Sequence, residues 1–211
     1  MKPALKLMVV ALCGTVAPLA SRAHAAAGFL VDFGAIYYQG GDGNYGQGNF
    51  DVGTTEHLDL IGAYHFQSGL LLGVQYLSST SSGSNAAAGG TASYDLKTTA
   101  WGAAVGWADP KGGLSVTAAY LIDPATTNTS TNTPTGGAST QTATTLSGTS
   151  GYVIDVGYHY PFGNWGAGPV ISYRSYTYQK SVVNGVQDSA YNSASEYLLT
   201  PLFSVQYEFD R

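Results

Sequence analysis

Apolar and polar residues alternate with period two through most of the chain after residue 28. In the first such stretch, Phe29, Val31 and Phe33 share one face, and Asp32 and Gly34 lie on the other. Successive side chains of a β-strand point to opposite faces, so this alternation predicts strands. Eight segments show it, at about 28–39, 56–66, 70–79, 93–107, 114–122, 145–160, 165–174 and 197–209. Within the seventh segment we expect a bulge at Pro169, because proline cannot donate a ladder hydrogen bond.

The connections between these segments are alternately long and short. The long ones are rich in Ser, Thr, Asn and Gly and are predicted to be flexible loops, at about 40–54, 78–92, 123–142 and 180–192. The short ones are predicted to be tight turns, at 67–69, 109–113 and 161–164. Outer-membrane barrels have an even number of strands, long outer loops and short periplasmic turns. We therefore predict an all-β fold, an eight-stranded antiparallel up-and-down transmembrane β-barrel; a soluble β-sandwich is the alternative.

The two faces of the predicted strands differ in a way that favours a membrane barrel. Nearly all bulky apolar side chains share one face, and the other face carries small and polar residues. Such a polar face would be costly in the core of a soluble protein but suits the lumen of a membrane barrel. Aromatic residues are expected to form girdles at the two membrane boundaries. The periplasmic girdle would contain Phe29, Phe66, Trp107, Tyr160, Trp165, Tyr207 and Phe209, and the outer one Tyr37, Tyr76, Tyr120 and Tyr173.

The N-terminus has the features of a cleaved signal peptide. Lys2 and Lys6 precede a largely apolar run, and Ala23-His24-Ala25 has the small-x-small form of a signal-peptidase site. We expect cleavage after Ala25, which leaves residues 26–211 as a single barrel domain. The alternatives are an uncleaved membrane anchor, for which the apolar run is short, and a lipoprotein signal at Cys13, where Leu12 replaces the small residue that such signals prefer.

The charge of the chain argues against nucleic acid as a partner, and its cysteine content argues against disulfide bonds. Charged residues make up only 10% of the 211 residues, against about 25% in an ordinary soluble domain. Removal of Lys2, Lys6 and Arg22 with the signal changes the formal net charge from −5 to −8. An acidic chain without a basic patch is not expected to bind nucleic acid. Cys13 is the only cysteine, so the mature protein would contain no disulfide.

The predicted architecture resembles the small eight-stranded outer-membrane barrels of the OmpA membrane domain, OmpX and OmpW kind. The C-terminal Tyr207-x-Phe209 is similar to the aromatic ending of those barrels, although Asp210 and Arg211 follow it here. The resemblance implies a Gram-negative outer-membrane location, contact with outer-membrane lipid and lipopolysaccharide, and recognition of Tyr207 and Phe209 by the barrel-assembly machinery. A monomer without a cofactor is expected.

Seven ionisable residues of the predicted lumen are the candidate site. They are Arg174, Asp59, Asp155, Glu208, Asp32, His65 and His159. A buried Arg needs an acidic partner, and Asp59, Asp155 and Glu208 are the candidates for Arg174. Such an ion pair would either gate a narrow pore or fix the strand register. The histidines and acids could form a hydrogen-bonded polar plug or, less favoured, hold a metal.

Three functions follow from this interpretation. The first is a structural or envelope-interaction role, in which the barrel presents flexible loops outside the cell. The second is a narrow, porin-like channel or a conduit for small hydrophobic molecules, as the resemblance to OmpW implies. The third is an enzyme that modifies lipid A, for which the chain lacks both a His-x-Ser arrangement and a Gly-x-Ser-x-Gly elbow. We therefore expect a protein that is not an enzyme.

Overall fold

The computed structural model describes residues 27–39, 42–44, 49–87, 89–110, 112–191 and 193–209. The predicted signal peptide lies outside these residues, and so do Asp210 and Arg211. Among the described residues there is no helix long and apolar enough to span a membrane.

Eight long strands and two short ones make up the described chain. They are β1 (Gly28–Gln39), β2 (Asp42–Asn44), β3 (Asn49–His65), β4 (Leu70–Ala87), β5 (Gly90–Ala108), β6 (Gly113–Pro134), β7 (Thr140–Phe162), β8 (Trp165–Val183), β9 (Val186–Gln187) and β10 (Ala194–Glu208). Each long strand pairs antiparallel with the next along the chain, and β10 pairs with β1. The ring is therefore closed, and the prediction of an eight-stranded antiparallel up-and-down barrel is confirmed.

The three predicted tight turns join β3 to β4, β5 to β6 and β7 to β8. In the first, Gly69 donates a backbone hydrogen bond to Phe66 O at 2.9 Å and has a φ of 90°. In the second, Gly112 donates to Asp109 O at 2.9 Å. Gly163, with a φ of 67°, lies in the third. A positive φ is readily adopted only by glycine, so these turns are encoded locally in the sequence.

The prediction of long flexible loops is largely wrong, because paired strands extend through most of these residues. β4 continues to Ala87 and pairs with β5 as far as Ala87↔Gly90. β6 runs for 22 residues to Pro134, and β7 begins at Thr140. β8 ends only at Val183, and β3 begins at Asn49, although part of the predicted first loop lies outside the described residues. Thr suits strands, and strand pairing uses backbone groups, so a polar, uncharged sequence can continue a sheet.

The strand irregularities are not where the sequence predicted. Pro169 pairs with Phe203 without a register shift, so the predicted bulge at Pro169 is wrong. The β7–β8 pairs are interrupted beside Pro169 but resume in the same register. A bulge does occur in β6, where Asp123 and Pro124 lie opposite the single residue Ala100 and Asp123 has a φ of 46°. Because of the extra residue, the side chains of β6 that point inward have odd numbers before the bulge, as at Leu121, and even numbers after it, as at Thr126.

The exterior of the barrel is apolar and the interior is mixed. Large apolar side chains that alternate along every barrel strand are exposed; examples are Phe33 at 47%, Val74 at 58% and Trp101 at 56% exposure. Aromatic side chains cluster at the turn end, where the ring of Phe209 contacts those of Phe29 and Tyr207 at centroid distances of 5.9 and 4.9 Å. At the other boundary Tyr173 contacts Tyr152 and Tyr197. The side chain of Tyr37 lies outside the described part of the chain.

Candidate functional site in the barrel lumen

The lumen is filled by side chains along its length. Arg174, Leu121 and Val153 are fully buried, and Leu77 and Tyr176 are 1% exposed. An eight-stranded barrel leaves an interior just wide enough to be filled in this way. A cavity bordered by Asp32, Asp59 and Asp155 has a volume of about 20 Å³, which is room for about one water molecule.

A hydrogen-bonded network centred on Gln75 occupies the middle of the lumen. Gln75 Nε2 donates to both carboxylate oxygens of Asp59, at 2.8 and 2.9 Å, and to Asp155 Oδ2 at 2.6 Å. Arg174 Nη2 lies 3.5 Å from Asp59 Oδ2, and Arg174 Nε donates to Ser172 Oγ at 3.0 Å. Thr117 donates a longer bond, of 3.4 Å, to Asp155. The Gln75 amide therefore links the carboxylates of β3 and β7 across the barrel, and the Arg174 cation adjoins that of β3.

Two histidine–carboxylate pairs lie closer to the turn end of the barrel. His65 Nδ1 bonds Glu208 Oε1, and its Nε2 lies 3.4 Å from Ala108 O. His159 Nε2 lies 3.5 Å from Asp32 Oδ2. Ser204 also donates to Asp32. These pairs join β10 to β3 and β7 to β1, so they tie together strands that are distant in sequence.

An apolar and aromatic layer closes the other half of the lumen. Leu77, Leu121, Val153, Tyr176 and Tyr178 form its core. The rings of Tyr176 and Tyr178 are stacked with centroids 6.2 Å apart. The Tyr178 hydroxyl is 2.7 Å from Thr126 Oγ1, which in turn is 2.8 Å from Thr98 Oγ1. The Tyr178 hydroxyl of β8 therefore bonds across the lumen to Thr126 of β6, which bonds Thr98 of the adjacent β5.

The structure places all seven predicted site residues on the lumen side but groups them differently from the expectation. Arg174 contacts Asp59 as predicted, and Asp155 joins them through Gln75. Glu208, a candidate partner of Arg174, pairs with His65. No group of three or more His, Cys, Asp or Glu residues in the described part of the chain is arranged to hold a metal ion.

Sequence reasoning assigned no role to Gln75, Tyr176 and Tyr178. Gln75 lies on the polar face of its segment, but only the strand register shows that it reaches Asp59 and Asp155. Tyr176 and Tyr178 continue the inward spacing of Ser172 and Arg174 beyond the predicted end of the seventh strand. Extending the seventh segment by four residues with the same alternation would have included both tyrosines.

The apolar exterior and the buried carboxylates, histidines and arginine of the interior are the reverse of a soluble barrel. In a membrane barrel, lipid contacts the apolar face and the polar residues point into the lumen. A closed ring satisfies the backbone groups of its strands by pairing, which is one of the two ways in which a chain can cross a membrane. The chain has the fold of an outer-membrane β-barrel.

Comparisons with known proteins give structural neighbours but no sequence family. No protein-family model matches the chain, and no curated protein matches it. Ail, the attachment invasion locus protein of Yersinia pestis, solved with the heparin analogue sucrose octasulfate, is 11% identical with a TM-score of 0.46, over 87% of this chain and 99% of that chain. The outer membrane protease OmpT from Escherichia coli is 11% identical with a TM-score of 0.49, over 88% and 94%. A major outer membrane protein from Thermus thermophilus is 16% identical with a TM-score of 0.46, over 87% and 100%.

Proposed function

We propose that this protein is a monomeric, non-conducting barrel of the Gram-negative outer membrane with a structural or envelope-interaction role. Residues 1–25 would direct export and be removed after Ala25, and residues 26–211 would form the barrel. The observation that carries the proposal is the filled lumen. Arg174, Leu121 and Val153 are fully buried at its centre, and the cavity beside the carboxylates is about 20 Å³.

The lengths of the two barrel ends support an orientation with the tight turns in the periplasm. The turns at 67–69, 109–113 and 161–164 are short, whereas β4 to β8 extend beyond the outer aromatic residues. β6, with 22 residues, would span about 55 Å along the barrel axis at about 3.3 Å per residue and a tilt of about 40°. The apolar band of such barrels is only about 25 Å tall. A polar sheet therefore projects from the outer surface in this orientation.

The second candidate function is a narrow channel gated by the Arg174–Asp59 ion pair. It is favoured only by the position of this pair at the centre of the lumen. Single-channel recordings of the refolded protein in planar bilayers distinguish the two functions. We expect no conductance steps, because buried side chains fill the lumen that the described residues form. Regular steps from the unmodified protein would contradict the non-conducting barrel and support the channel.

The non-enzymatic part of the proposal rests on the enclosure of the lumen groups. Asp59, Asp155 and His159 are at most 5% exposed, and the adjoining cavity holds about one water molecule. No substrate of the size of a lipid could reach them there. Mass spectrometry of lipid A from cells with and without the protein should show the same species, and a species that depends on the protein would indicate an enzyme.

Assembly through Tyr207 and Phe209 is the remaining part of the proposal. Phe209 follows the last paired residue of β10 and is 47% exposed. An aromatic side chain in this position is available to an assembly factor before the barrel closes. Phe209→Ala should reduce the amount of folded protein in the outer membrane more than Phe162→Ala, a change at a similarly exposed aromatic residue; equal amounts would contradict this role.

A further inference from the structure

The outward face of the projecting sheet carries a regular set of short polar side chains. This outer sheet consists of residues 78–87, 90–98, 125–134 and 140–147 of β4, β5, β6 and β7. Its inward positions are marked by burial: Ser81 and Gly83 in β4, Tyr94 in β5 and Thr126 in β6 are buried. Since side chains alternate along a strand, the residues between them point outward, away from the axis of the barrel.

Strand register brings seven of these outward residues together. Asp95 pairs with Ser82 on one side and with Thr129 on the other. Two residues farther from the membrane, Ser93 pairs with Ser84 and with Thr131, and Thr131 pairs with Gln141. Neighbouring strands are about 4.8 Å apart. The result is a two-row array of hydroxyl groups that includes one carboxylate and one amide.

A depression of about 510 Å³ lies over this array and is lined by these seven residues together with Gly83 and Tyr94. Its volume is within the range of about 300–1,000 Å³ that is common for small-molecule sites. Serine and threonine hydroxyls both donate and accept hydrogen bonds, and so does the Gln141 amide. The depression therefore matches a ligand that itself presents many hydroxyl groups at close spacing.

The charge of the depression selects among such ligands. Asp95 is the only charged side chain among the lining residues that the structure describes. A carboxylate accepts strong hydrogen bonds from sugar hydroxyls, but it repels sulfate and phosphate groups. Lys97, on the same face, is exposed and does not line the depression. A purely apolar ligand is disfavoured because it would desolvate the hydroxyls without bonding them.

We propose that this depression is a binding site for a neutral saccharide, held by Asp95, Thr129 and Thr131. The site deepens the proposed envelope-interaction role and rests on the proposal that the outer sheet lies outside the cell. The saccharide could belong to lipopolysaccharide or to a glycan from outside the bacterium. Both present the same chemistry, that of adjacent hydroxyl groups without charge.

The refolded full-length barrel, labelled with a fluorophore, would be applied to a glycan array. The array carries neutral oligosaccharides, sulfated oligosaccharides and a neutral oligosaccharide from the outer part of lipopolysaccharide. The test variant is Thr129→Val with Thr131→Val, which removes two hydroxyls but keeps the β-branched shape that suits a strand. The matched control is Thr142→Val with Thr144→Val, the same change on the inward face of neighbouring β7. Asp95→Asn is tested separately.

We expect the wild-type protein and the inward-face control to bind neutral oligosaccharides equally. The Thr129/Thr131 variant should bind about tenfold more weakly, as expected for the loss of two hydrogen bonds. Asp95→Asn should also weaken neutral binding and reduce the discrimination against sulfated sugars. Which oligosaccharides bind identifies the source: retention on the lipopolysaccharide oligosaccharide indicates an envelope ligand, and retention on other neutral sugars indicates an external one.

The proposal is overturned if the wild-type protein binds no neutral sugar, prefers sulfated ones, or is unaffected by the paired valine substitutions. Biotinylation of Lys97 in intact cells, with Arg in place of Lys180, tests the orientation separately. Labelled cells with no saccharide binding would reject the site but not the proposed barrel orientation. Unlabelled Lys97 would reject the orientation itself.

Discussion

Arg174 is fully buried in the lumen, with its Nη2 atom 3.5 Å from Asp59 Oδ2. Arg174→Met would leave Asp59 buried without its cation, and Asp155 nearby would add to the repulsion. Loss of one partner of a buried ion pair typically costs about 3–5 kcal/mol. We expect a loss of this size in the free energy of unfolding, measured by urea titration in detergent micelles with tryptophan fluorescence.

Two further variants test the cause of that loss. Lys180→Met removes an exposed cation from the same strand and should change stability by less than about 0.5 kcal/mol. Asp59→Asn combined with Arg174→Met removes both charges and should be more stable than Arg174→Met alone. If Arg174→Met were as stable as Lys180→Met, the ion pair would not contribute to the fold.

Gly102 lies where two strand backbones approach too closely for a side chain. A Cβ atom built there would lie 1.9 Å from Tyr120 O and 2.9 Å from Leu121 Cα. Gly102→Ala should therefore destabilise the barrel by about 1–3 kcal/mol, as overpacking usually does. Gly62→Ala is the control, because its Cβ would meet only the Phe29 ring at 3.6 Å. Urea midpoints of the two variants that do not differ would contradict this account of Gly102.

At the residue scale the sequence predicts the face of a side chain better than its partner. Alternation placed Asp32, Asp59, Asp155 and Arg174 in the lumen because the period of a strand is local. Partners depend on the register between strands distant in sequence, which no local pattern contains. For this reason the pairing of His65 with Glu208 and the bridging role of Gln75 emerge only from the folded barrel.

At the element scale, the polar stretches predicted to be loops are paired strands. Proteinase K applied to intact cells should therefore cut mainly at the exposed turn of residues 135–139 and at residues 184–185 and 188–191, which flank the two-residue strand β9. The paired residues 90–98 and 125–133 should be protected, since backbone in a sheet resists proteolysis. Early cleavage within these two segments, mapped by mass spectrometry, would support flexible loops instead.

The strand ends could not be predicted because side-chain composition carries little information about them. A stretch such as residues 126–133, which alternates Thr with Asn and Ser, reads as a loop by polarity. Its pairing with residues 91–98 and 140–146 uses backbone groups and is stabilised by neighbours on both sides. The turns, in contrast, were predictable because Gly69, Gly112 and Gly163 mark them directly.

The seam between β1 and β10 is shorter than the other seams of the barrel. It contains six pairs, from Leu30↔Glu208 to Ala35↔Phe203. Ile36–Gln39 continue to pair with β3, and Leu199–Leu202 with β8, but the described residues show no pair between these two stretches. Pro201 lies at this point and has no N–H to donate. The outer half of this seam thus has fewer strand-pairing hydrogen bonds than the rest of the barrel.

Hydrogen exchange should reveal this weak seam. Among the amides that point into the seam, those of residues 36–39 and 199–202 should exchange faster than those of residues 30–35 and 203–208. Amides of the same strands that point toward β3 and β8 serve as internal controls and should be protected. Uniform protection along β1 and β10, measured by NMR in micelles, would contradict an open outer half.

At the scale of the whole molecule, the apolar exterior of the barrel and the polar networks of its lumen depend on each other. The apolar side chains face outward, so the polar ones must bond mainly to each other inside, because an eight-stranded barrel leaves little space for water. The lumen networks of Gln75, His65 and His159 meet part of this need, while Gln75 Oε1 and Arg174 Nη1 have no hydrogen-bond partner among the described residues. The inverted faces were predictable from the sequence because the same alternation recurs in every segment. The number of strands was predictable because a turn or a polar stretch separates each segment from the next.

The most direct test of the inverted, closed barrel is gel migration of the outer-membrane fraction with and without boiling. A closed barrel resists detergent until it is heated, because every strand is paired on both sides. We expect the protein in the outer membrane, with an unboiled band that migrates differently from the boiled one. A protein found in the soluble periplasm, with a single band position under both conditions, would contradict an inverted, closed barrel.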